Sequence, residues 1–139
     1  MDRFNFPTIT FCHSMTLTYK IPEIQLTFKR VLQLTDVDGT FDEEPIVRYA
    51  NYDPELATAR NGVAIVVRGG KTVLYCSAFT NRAFAQVWLY ASKGYLYKQR
   101  RNLKVAFEKG GIIGLYLASC DNPGSMASEI NDKLDPSWD

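Results

Sequence analysis

Hydrophobic and polar residues alternate along much of this chain, and the period of alternation changes at definable points. Between residues 23 and 35 the period is two. Ile24, Leu26, Phe28, Leu32 and Leu34 fall on one side, Gln25, Thr27, Lys29 and Gln33 on the other, and Arg30 is the single break. This is the signature of a strand with one dry and one wet face, which favours an antiparallel sheet over a parallel one covered on both sides. The segments 7–12 (PTITFC) and 15–21 (MTLTYKI) are rich in β-branched and aromatic residues and read as two short strands or one bent strand, ended by Pro22, which lacks a ladder donor. Asp36–Gly39 has turn chemistry, and 45–50 (PIVRYA) reads as a returning strand. The strongest local signal is VAIVVR and KTVLYC flanking Gly69-Gly70, a hairpin whose two-residue loop needs positive φ at both positions. That loop sets Arg68 opposite Lys71, Val67 opposite Thr72, Ile65 opposite Leu74 and Val63 opposite Cys76. Both faces are apolar, which places the hairpin near the middle of the sheet.

Elsewhere the period is helical. Asp53-Pro54-Glu55 supplies an N-cap, a proline at the first helical position and an acid in the first turn, so 54–60 reads as a short helix stopped by Asn61-Gly62. Over 81–93, Phe84, Val87, Trp88 and Ala91 share a face, with Thr80 to cap the start and Gly94 to end it. Over 96–109, Leu96, Leu103, Ala106 and Phe107 do the same. Residues 112–119 (IIGLYLAS) form a strand, and Ser128–Leu134 a short C-terminal helix. The expected class is α+β: one domain over residues 1–139, with a mainly antiparallel sheet of about five to six strands and two consecutive helices on one face.

Composition narrows the function. The chain has 139 residues, 46% hydrophobic and 13% aromatic, which excludes a disordered segment and suffices for a core without staples. Lys plus Arg is 16 and Asp plus Glu 15, a net charge of +1, unlike the strongly basic balance of most nonspecific nucleic-acid binders. Cys12, Cys76 and Cys120 are dispersed, odd in number and outside any CxxC pair. They fit reduced core thiols in the cytoplasm or nucleus, not a zinc cage or disulfide framework. His13 is the only histidine, too few for a multi-histidine metal site, so no metal or cofactor is implied. The N-terminus lacks the charged start and apolar stretch of a secretory signal, and no run reaches membrane-spanning length.

One stretch carries binding chemistry. Lys98, Arg100, Arg101 and Lys104 are four cations within seven residues, flanked by Tyr95 and Tyr97. On a helix, Lys98, Arg101 and Lys104 fall at i, i+3 and i+6, a stripe able to neutralise phosphates of nucleic acid or of an anionic membrane, with tyrosines beside it for stacking on bases. Trp88, Tyr90 and the nearby tyrosines offer more aromatic area than two helices usually bury, which suggests self-association. A non-enzymatic interaction protein whose target is a phosphate-bearing surface or an acidic protein partner follows from these features, with a small RNA-binding protein as an alternative.

Two resemblances add to this. Leu34-Thr-Asp36-Val-Asp38-Gly-Thr40-Phe41 is similar to the opening DxDGT motif of haloacid-dehalogenase-like phosphatases. That resemblance implies magnesium-dependent phosphatase activity with Asp36 as nucleophile, Asp38 as acid/base and Ser119 holding the phosphate. A D-G turn closing a hairpin accounts for the same letters. Separately, residues 71–119 (TVLYCSAF, Val87-Trp88, YLYKQRRNL, VAFEKGGIIGLYLAS) resemble the closing strand–Trp–helix–strand order of rhabdovirus-type viral matrix proteins. This resemblance implies a self-associating structural protein lying between a nucleoprotein and a membrane.

Overall fold

The computed structural model describes residues 17–38 and 46–138. The segment 7–12, Cys12, His13 and residues 39–45 lie outside the described residues. Among the described residues six strands form one sheet: β1 (Thr18–Ile21), β2 (Leu26–Asp38), β3 (Ile46–Ala50), β4 (Gly62–Arg68), β5 (Thr72–Phe79) and β6 (Ile113–Ser119). The order is β1-β2-β6-β4-β5, and every pairing is antiparallel. β1 and β3 pair with different stretches of β2, residues 26–29 and 33–38, so they lie end to end along the edge that β6 does not use. The helices are α1 (Phe84–Trp88), α2 (Tyr95–Lys98), α3 (Arg100–Glu108) and α4 (Pro123–Leu134). This is an α+β fold.

The sheet is covered on both faces. Leu34, Val66, Leu115 and Leu117 bury one face against Phe84, Trp88, Leu96 and Leu103 of α1–α3. Phe28, Val63, Ile65, Val67 and Tyr116 bury the other against Ala127 and Ile130 of α4. The expected C-terminal helix therefore begins five residues earlier, with Pro123 in its first turn, and supplies a second layer.

Two bulges redistribute side chains between these faces. In β2, Arg30 pairs with Tyr116 but Leu32 pairs with Leu115, so Val31 is an extra residue. Phe28 consequently joins the α4 side while Leu32 and Leu34 join the α1–α3 side, and the expected common face of these residues is corrected. In β5, Tyr75 pairs with Val66 and Val73 with Val67, which leaves Leu74 as the extra residue. The hairpin loop is also one residue longer than expected. Arg68 pairs with Thr72, Lys71 N–H bonds to the Arg68 carbonyl, and Gly69 and Gly70 take φ of 60° and 67°. Among the described strands β4 is interior but β5 is an edge, so only half of the hairpin sits near the sheet centre.

The helical segments are more broken than their periodicity suggests. The helix expected over 54–60 is a single 3₁₀ turn, Leu56–Thr58, although Asp53 caps as expected, accepting from the N–H groups of Glu55 (3.0 Å) and Leu56 (3.2 Å). Ala83, not Thr80, precedes α1, and its N–H bonds to the Gln86 side chain at 3.3 Å. α1 stops at Trp88. The chain then doubles back so tightly that a Cβ on Gly94 would lie 2.6 Å from the Trp88 carbonyl oxygen and 2.7 Å from Tyr90 N. Only glycine permits that approach.

Candidate functional site

The cationic segment spans α2, a break at Gln99 (φ −96°, ψ 14°) and α3, so its charges do not form one continuous helical stripe. Leu96, Leu103 and Ala106 are buried, which anchors the segment to the core and turns its polar residues outward. Lys93, Lys98, Arg101 and Lys109 are exposed, and Lys104 is half-buried.

Arg100 is different. Its Nη1 donates to the Tyr97 carbonyl at 3.0 Å, and its guanidinium lies 4.1 Å from the Tyr97 ring centroid. The Arg100 Nε is buried with no partner. Arg100 thus clips the α2–α3 junction together, so part of the guanidinium expected to face phosphate is engaged within the fold. Tyr97 is covered by that guanidinium. Tyr95 packs edge-on against Trp88 at 5.3 Å, with Lys98 Nζ 5.8 Å from its ring centroid. The two tyrosines expected to stack on bases are therefore engaged within the fold. Trp88 is 1% exposed, stacked with Phe84 and edge-on to Tyr75, so it offers no area for self-association; Tyr90, 58% exposed, does.

Charge is segregated along the chain. Between Lys93 and Lys109 there are six basic residues and one acidic, against ten and fourteen in the remainder. A net charge of +1 conceals a cationic segment on an otherwise acidic molecule.

The antiparallel register separates the residues of the phosphatase constellation. Leu34 pairs with Ile113 and Lys29 with Leu117, so Asp36 lies beyond the start of β6 and Ser119 at its far end. They are about eight strand positions apart, on the order of 25 Å. The expected convergence of Asp36, Asp38 and Ser119 is thereby overturned, because it requires parallel neighbours. Asp36 and Asp38 also belong to β2 and not to a turn, since the ladder with β3 continues to Asp38 opposite Ile46. Among the described residues, no three His, Cys, Asp or Glu side chains converge on a common point.

Ser119 instead lines an open pocket of about 450 Å³ with Arg60, Asn61, Cys120 and Asp121. Arg60 is tied back to the Asn81 carbonyl at 2.6 Å. Burial, and to a lesser extent Asp121, raise the Cys120 thiol above its ordinary pKa, against a lowering contribution from the Asn122 backbone. Cys120 is held as a neutral thiol there, not as a nucleophilic thiolate.

Sequence reasoning missed two side chains that shape this region. Arg68, at the hairpin tip, donates through Nη1 to the carbonyls of Ala106 (3.2 Å) and Gly110 (2.5 Å), capping the end of α3. Trp138 stacks on Tyr75 at 5.3 Å and 22°. Neither contact has a sequence signal beyond a lone arginine beside a turn and an aromatic residue in a polar tail. Compared with family models, curated proteins and solved structures, the chain matches none.

Proposed function

We propose that this protein is a non-enzymatic interaction protein that contacts a phosphate-bearing surface through the α2–α3 segment. The observation that carries this is the surplus of six cations over one anion between Lys93 and Lys109, with Lys98 and Arg101 exposed on a segment whose apolar side is fixed in the core. Fixed cations on a rigid element suit phosphate neutralisation. With Tyr95 and Tyr97 engaged internally, contact is through charge and not through base stacking, so sequence preference is expected to be weak. Charge and exposure support this proposal without the resemblance to viral matrix proteins.

The test compares the parent chain with Lys98→Glu/Arg101→Glu against homopolymeric RNA and phosphatidylserine vesicles at low ionic strength. The parent is expected to bind RNA homopolymers with similar affinity. The double variant should lose at least about tenfold while keeping its melting temperature. Vesicle binding with no RNA binding would reassign the target to lipid headgroups. Binding to neither, or equal binding by the variant, overturns the proposal.

A further inference from the structure

Among the described residues, the two edges of the sheet are guarded differently. One is built from two short strands, four-residue β1 and five-residue β3, each carrying a cation, Lys20 and Arg48. The other is the outer edge of β5, eight residues with the sequence TVLYCSAF. It contains no charge and no proline, the devices that normally keep an edge from pairing with another chain. The bulge at Leu74 leaves Tyr75–Phe79 as its regular stretch.

The C-terminal tail covers this edge. α4 packs through Ala127 and Ile130 on one face of the sheet, whereas Trp138 joins the cluster on the opposite face. The three residues between Leu134 and Trp138 must therefore pass around β5, the edge strand on which α4 lies. Asp135 starts this turn in the left-handed region (φ 47°, ψ 58°), and Pro136 follows. The bulge at Leu74 is what makes the seat. It turns Tyr75 away from the face shared by Val73 and Cys76 and towards Trp88, where Trp138 can stack on it.

We propose that residues 135–138 are a displaceable strap over β5, and that the edge beneath is a pairing site for β5 of a second copy of this chain. The occupant is argued from the strand itself. Within β5, two antiparallel copies about a two-fold axis bring no like charges of the strand itself together, and the same stretch pairs with itself, as closed dimers require. The cationic surface lies elsewhere, on α2–α3.

The test compares the parent chain, Trp138→Ala and a chain ending at Asp135 by sedimentation over a range of concentrations. Both altered chains should self-associate at least about tenfold more tightly than the parent. Adding Ser77→Lys, which places like charges in the paired edge, should return them to the parent state. Amide exchange should show residues 75–79 gaining protection with concentration in Trp138→Ala, a readout that does not depend on Ser77→Lys folding. Altered chains that remain as monomeric as the parent, or a dimer whose β5 amides gain no protection, overturn the proposal.

Discussion

Cys76 shows how burial sets the chemistry of a single side chain. It is 7% exposed, on the α4 side of the sheet, and burial pushes its thiol from the ordinary 9.0 up to about 12. Below pH 9 the thiol is neutral in both the folded and unfolded chain and adds no pH dependence. Between pH 9 and about 12 the unfolded chain releases a proton that the folded chain retains, so stability falls as pH rises through that window. Cys76→Ala should remove this part of the alkaline loss, which denaturant midpoints on either side of pH 9 will show. A steeper loss in the variant would contradict the assignment. In the same region of the fold, the half-buried Cys120 should alkylate before Cys76, and Cys76 only on unfolding, as peptide mapping can establish.

At the scale of elements, stability depends on how short helices are ended. α3 has nine residues and terminates at Glu108, where the Arg68 guanidinium reaches across from the hairpin tip to the Ala106 and Gly110 carbonyls. Charged hydrogen bonds of this kind contribute about 1.5–3 kcal/mol each to the stability of what they join, less where solvent competes. Arg68→Ala should therefore destabilise the chain by about 2 kcal/mol in urea unfolding, and Arg68→Lys should recover part of that. An unchanged midpoint would show that the cap adds nothing. These elements also mark what the sequence made legible. The strands and their antiparallel class were readable because period two persists from Ile24 to Phe28 and again from Leu32 to Leu34. Their distribution between faces was not, because single extra residues at Val31 and Leu74 invert the parity on either side of them. Arg30, the one break in the first pattern, was the visible trace of the first bulge. The four cations of the candidate site were plain from their spacing. That Arg100 braces the fold was hidden, because it depends on the break at Gln99 bringing the guanidinium over Tyr97.

For the whole molecule, segregated charge matters more than net charge. A segment with six cations and one anion, on a remainder carrying ten and fourteen, gives the chain a charge asymmetry that would steer an approaching polyanion. If three to five of these cations neutralise phosphates of a single strand, log affinity should fall with log salt at a slope of roughly −2 to −3.5. Lys98→Glu/Arg101→Glu should flatten that slope, and a slope near zero in the parent would show that the charges are not engaged. The partial separation of charge is what lets a chain of near-zero net charge present a locally cationic segment.

The pairing of β2 with β6 has a further consequence for how the chain is made. Leu34 and Ile113 are ladder partners about 80 residues apart. As translation proceeds, β2 leaves the ribosome with its inner rim open and must wait for more than half of the polypeptide before β6 arrives to close it. Topologies that depend on such distant partners fold slowly, in milliseconds to seconds. During that interval the apolar Leu32 and Leu34 lack their ladder partners Leu115 and Ile113.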